Sequence, residues 1–95
     1  SQTTNQMNKT SNRQIQYEFV KSIPDDAIIV NNYNGHQFEN YYFYNDDFYF
    51  FNGIDYRILH VIEPKRGGLF VNMMNTNGNR IHVYYSTFKK LYDLI

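Results

Sequence analysis

Six cations in the second half of this chain are of the types that meet anions: Arg57, Lys65, Arg66, Arg80, Lys89 and Lys90. An ammonium or guanidinium positions a phosphate, and the arginine fork can also read a guanine edge in a major groove. His82 and Tyr84 follow Arg80 at strand spacing, so in an extended segment all three side chains leave one face. Asn72, Asn77 and Asn79 supply further hydrogen-bonding groups in the same region. The formal net charge is +0, yet the charges segregate along the chain. From Glu18 to Asp55 seven acids accompany one base, Lys21; from Tyr56 to Lys90 six bases accompany one acid, Glu63. The basic half attracts anions if the two halves stay apart in space, and loses that property if they intermix.

A second group of residues suits a different chemistry. Between Tyr41 and Phe51 the chain reads YYFYNDDFYFF, with eight aromatic rings in eleven residues. Two aromatic runs around Asn45-Asp46-Asp47 predict a β-hairpin. Alternation along each strand sends Tyr41, Phe43, Phe48 and Phe50 to one face and Tyr42, Tyr44, Tyr49 and Phe51 to the other. One face can enter the domain's own core. The other must meet a helix, a second copy, another protein or nucleic-acid bases.

Catalytic inventories are poor. There is no cysteine, which excludes thiol chemistry, disulfides and Cys-based zinc sites. None of Ser1, Ser11, Ser22 and Ser86 sits in a nucleophile-elbow setting. The adjacent acids Asp25-Asp26 and Asp46-Asp47 are what turns use. His36, His60 and His82 are widely spaced; His60 and His82 could meet across a sheet but lack a third ligand. The Arg66-Gly67-Gly68 stretch does not join a strand to a helix, so it is no phosphate-cradling loop. The expectation is a protein that is not an enzyme and uses no cofactor or metal.

The elements that must position these groups follow from periodicity and turn chemistry. Residues 1–14 are almost wholly polar and are expected to stay disordered, leaving residues 15–95 as one small domain. Ile15, Phe19 and Val20 fit a short helical stripe. Pro24 makes Ser22–Asp26 a turn, Ala27–Val30 is a strand or a capped helical start, and Asn31–His36 is a loop. Strands are expected over 38–44, 48–51, 56–62, 69–74 and 80–85. They are joined by the Asn45–Asp47 turn, an Asn52-Gly53 hairpin turn, the glycine-bearing loop 63–68 and the turn 75–79. Ser86 stands where a helix N-cap belongs, and Phe88, Leu91, Tyr92 and Ile95 then follow at helical spacing. Lys89 and Lys90 fall at the start of that helix, the end less favourable to cations, which suggests another use for them. The fold class expected is α+β: an antiparallel β-meander of about five short strands with the C-terminal helix packed on one face. A core of this size supplies about 3–5 kcal/mol net, so the aromatics must carry most of it.

The order of segments from Tyr41 resembles a known kind of module. The aromatic strand, FYFFNGIDYRIL, KRGGLFVNM, the turn NTNGNRIHVYY and the closing STFKKLYDLI resemble the small NUMOD4-like β-rich modules that accompany HNH-type homing endonucleases. The order is also similar to AP2 domains, which lay a three-stranded sheet in the major groove against one helix. About 55 residues are covered. The usual Trp, and the His-Arg pair before the closing helix, are absent; Tyr84-Tyr85 stands there instead. No His-Asn-His metal set is present, so the resemblance implies DNA binding without cleavage.

Together these readings predict a non-catalytic nucleic-acid-binding module, with double-stranded DNA the expected partner. Arg57, Lys65, Arg66, Arg80, His82, Lys89 and Lys90 are the expected contacts. The alternative is a protein-interaction or homodimerisation domain that uses Tyr42, Tyr44, Tyr49 and Phe51. No apolar run reaches the ~20 residues of a membrane span and no secretory signal is present, so a nuclear or cytoplasmic, not secreted, protein is expected. Without such a signal, the Asn8-Lys9-Thr10 sequon is read as chance.

Overall fold

The structure is a computed structural model that describes residues 18–95. The expected disordered tail and the first residues of the expected helical stripe lie outside the described residues. The elements in chain order are β1 (Glu18–Val20), β2 (Ile28–Ile29), β3 (Asn32–Tyr33), β4 (His36–Gln37), β5 (Tyr41–Tyr44), β6 (Asp47–Phe51), β7 (Tyr56–Ile58), β8 (Phe70–Met74), β9 (Arg80–Tyr84) and α1 (Tyr85–Leu91). One five-stranded sheet has the order β1-β7-β6-β5-β2; β3-β4 and β8-β9 are separate two-stranded ribbons. Every pairing is antiparallel. The fold is α+β, with one helix at the C-terminus.

The aromatic hairpin, β5-β6, lies in the interior of the large sheet. Asn45 and Asp46 both have positive φ, 51° and 66°, and Tyr44 pairs directly with Asp47. This is a two-residue turn with the twist that hairpins favour, so β6 starts at Asp47, one residue earlier than expected. The next connection is longer than an Asn-Gly hairpin: Phe51 pairs with Tyr56, leaving four residues between them. Asn52 closes it through its side chain, whose Oδ1 accepts from the Ile54 and Asp55 N–H groups at 2.8 and 2.9 Å.

The cross-strand register separates the two faces. Ile28, Phe43 and Phe48 form one inward row; Tyr41, Phe50, Arg57 and Phe19 form the next. Phe48 is fully buried, and its ring centroid lies 4.8 Å from Phe43 and 4.9 Å from Phe88 of α1. Val71, Met73 and Val83 of the β8-β9 ribbon complete the core from the same side. Helix and ribbon therefore both cover the inner face of the sheet.

Several expected elements differ. Residues 18–20 are not helical; they pair with β7 and form the sheet's outer strand. Part of the expected loop 31–36 is the small β3-β4 hairpin, with Asn34 and Gly35 both at positive φ. The meander also breaks after β7. Pro64 removes a ladder donor and Gly67 and Gly68 both take φ 85°, so β8 leaves the large sheet. A bridge between Ile62 and Phe70 links the two regions.

The helix starts at Tyr85 directly out of β9, with Tyr84 in the cap position and no side-chain cap. Ser86 therefore lies inside the first turn. Asp93, at φ 60°, ends the helix: its N–H bonds to the Lys90 carbonyl, and the Leu94 N–H reaches the Lys89 carbonyl at 2.7 Å. The buried stripe is consequently Tyr85, Phe88 and Tyr92, while Leu91 is 51% and Ile95 78% exposed. Lys89 and Lys90 fall in the last turn, where the helix dipole favours them, so their position calls for no further use.

Candidate nucleic-acid interface

Strand alternation in β8 and β9 builds the ribbon's two faces. Val71, Met73, Ile81 and Val83 point to the core. Phe70, Asn72 and Met74 stand opposite Tyr84, His82 and Arg80 on the outer face. The Phe70 ring lies 4.5 Å from His82 and 5.1 Å from Tyr84, which shield it from water. His82 Nδ1 meets Asn72 Oδ1 at 2.7 Å. With that carbonyl oxygen as acceptor, Nδ1 carries the proton and Nε2 is left as the ring's remaining polar atom. The ribbon thus holds an arginine, an imidazole and a phenol in one row.

Beside this row the divergence of β7 from β8 opens a cleft of about 530 Å³. Phe50, Leu59 and Met73 give it an apolar floor, and Arg57, His60 and Arg80 line it, with no Asp or Glu among the described residues around it. The Arg57 guanidinium carbon lies 5.8 Å from the Phe50 ring centroid, within cation–π range, which keeps its long side chain over the floor. The edge of β8 closes the cleft. Phe70 uses both main-chain groups on Ile62, and the Met74 N–H donates to the Tyr41 hydroxyl at 3.0 Å. The ladder's alternation turns the main-chain groups of Asn72 to that same edge.

The loop before β8 carries the next cations. The Gly67 N–H donates to the Pro64 carbonyl at 2.9 Å, so Lys65 and Arg66 occupy the two central positions of a tight turn. Gly68 lies against the Tyr84 ring, at the Tyr84 end of the ribbon's outer face. At the ribbon's other end the turn is organised by Asn75. Its Oδ1 accepts from the Asn77 and Asn79 N–H groups at 3.0 and 2.8 Å.

The expected site residues are therefore only partly gathered. Arg57 and Arg80 share the cleft, His82 shares the ribbon face with Arg80, and Lys65 and Arg66 form the turn tip of the neighbouring loop. Lys89 is elsewhere: its Nζ lies 2.9 Å from Asp46, in a hollow that Asp26 also lines. Lys90 is exposed on α1. His60 joins the cleft although its sequence context marks it only as half of a histidine pair; His82 bonds to Asn72 instead. Among the described residues no group of three or more His, Cys, Asp or Glu could hold a metal ion.

A second surface is the outer face of the large sheet. Ile29, Tyr42, Tyr49, Ile58 and Glu18 form one row across it, and Phe51, Tyr56 and Val20 another. Tyr56 lies 4.7 Å from Phe51 and 5.7 Å from Tyr42, centroid to centroid. Tyr44 and Asp47 stand at its turn end. Burial, then Asp46, then Glu18 hold the Asp47 carboxyl above its usual range. The Tyr49 phenol is likewise raised, by burial and then by Asp47.

Among the described residues no helix is long and apolar enough to cross a membrane. No protein-family model, curated protein or solved structure matches this chain.

Proposed function

We propose that this protein is a non-catalytic nucleic-acid-binding module whose partner is double-stranded DNA. The observation that carries the reading is the junction of Arg57, His60 and Arg80 around one cleft, with no Asp or Glu among its described lining residues, continuous with His82 and Tyr84 on the ribbon. A two-stranded ribbon is one of the elements a major groove admits. In this arrangement Arg80 and His82 face the base edges, while Lys65 and Arg66 at the loop tip hold a phosphate and fix the register. The resemblance to DNA-binding accessory modules points the same way, and the expected setting is nuclear or cytoplasmic.

Fluorescence anisotropy with labelled random duplex and single-stranded probes at low salt tests it. Affinity should fall steeply with salt, and Lys65→Glu/Arg66→Glu should reduce the slope by about one per lost phosphate contact. Arg80→Glu should weaken duplex binding by at least about tenfold, the loss of one good charged contact. Lys89→Glu, whose lysine faces Asp46, should change little. Absence of binding to either probe near micromolar concentration would exclude the reading.

A second reading, docking of a protein at the outer sheet face, is favoured by the rings of Tyr42, Tyr49, Phe51 and Tyr56, which are half-buried and lie outside the core cluster.

A further inference from the structure

The outer face of the five-stranded sheet is aromatic and acidic at once. Its rows hold Tyr42, Tyr49, Phe51 and Tyr56, and Ile29 beside them is 61% exposed. The ionisable side chains in these strand rows, apart from the tyrosines, are Glu18 and Asp47. Asp47 is partly desolvated and is also repelled by Asp46 and Glu18. The cation nearest in sequence, Lys21, belongs to the next residue after β1 and pairs with Asp55 at 3.5 Å.

This combination selects among occupants. Bases could stack on the rings, but their phosphates would meet two carboxylates and gain nothing from counterion release. A purely apolar segment would bury Asp47 and Glu18 without partners, which is costly. A segment that alternates cationic and apolar side chains satisfies both features. Its guanidinium groups stack on the tyrosine faces and pair with the carboxylates, and its apolar groups cover Ile29 and Ile58.

We infer that this face docks an extended, arginine-bearing protein segment. The inference rests on the second reading above and adds the partner's chemistry to it. Arginine fits better than lysine, because its flat guanidinium can lie on a ring and still fork to a carboxylate.

The probe is a short fluorescein-labelled peptide alternating arginine and valine, compared with the same peptide carrying glutamine, and then glutamate, in place of arginine. Anisotropy should show the arginine peptide binding at least about tenfold more tightly than the glutamine one, with the glutamate peptide silent. Tyr49→Ser and, separately, Glu18→Gln should each weaken the arginine peptide; the exposed Glu18 position leaves the fold intact. Lys65→Glu/Arg66→Glu should not. Equal binding of arginine and glutamine peptides, sensitive to Tyr49→Ser, would overturn the charge preference while leaving docking at this face standing. No peptide binding, or binding indifferent to both variants, would remove docking at this face as well.

Discussion

Asp47 sits at the end of the outer sheet face, where burial, Asp46 and Glu18 all disfavour its charged form. Its pKa in the folded chain is therefore above the ordinary 3.8. A carboxyl raised in this way binds its proton more readily when folded, so its contribution to stability is present at low pH and is lost as pH rises through the folded value. Asp47→Asn should accordingly have a higher Tm than the parent at neutral pH, and the gap should close as pH falls below the ordinary carboxylate range. Parallel thermal melts of the two proteins across that range read the difference directly. At this scale the sequence was partly legible. The facing of Tyr42 against Tyr41 follows from alternation alone, and the register bears it out. The roles of Asn52 and Asn75 did not, because several asparagines stand near each turn and only geometry decides which side chain bonds to the main chain.

Among the elements, α1 is short, with seven residues, and holds to the sheet chiefly through Phe88. Phe88 is fully buried and meets Phe43 at 4.8 Å and Tyr92 at 4.4 Å. Truncating a buried phenylalanine costs about 3–5 kcal/mol, comparable with everything a core of this size supplies, about 3–5 kcal/mol. Phe88→Ala should therefore leave the chain largely unfolded, and a urea titration followed by tyrosine fluorescence or circular dichroism would lack a folded baseline. The helix was visible in the spacing of Phe88 and Tyr92, but its end was not. Asp93 adopts a left-handed conformation that aspartate tolerates only moderately, and no glycine announces the stop. The break between β7 and β8 was similarly hidden. Pro64, Gly67 and Gly68 mark a loop, but a loop of that kind can return a strand to the same sheet or carry it to another. His60 and the cleft it lines exist only because the chain takes the second course.

Over the whole molecule, the described cations of the second half and the acids of the first are separated only in part. The ribbon and helix pack on the inner side of the large sheet, so the cleft with Arg57 and Arg80 opens on that side, while Glu18 and Asp47 stand on the sheet's other face. Lys89 crosses this division through its contact with Asp46, while Lys21 and Asp55 pair within the acidic half. A chain of zero net charge can thus present surfaces of opposite sign. The order of the strands has a kinetic consequence. The partners within β3-β4, β5-β6-β7 and β8-β9 are neighbours along the chain, and such hairpins close quickly. β1 instead waits for β7, across an intervening stretch that includes the aromatic hairpin, and is held by a three-residue ladder at the sheet's rim. In deuterium, the amides of Glu18–Val20 should be labelled well before those of Phe48 and Val71, with the rim strand opening and closing many times for each unfolding of the whole.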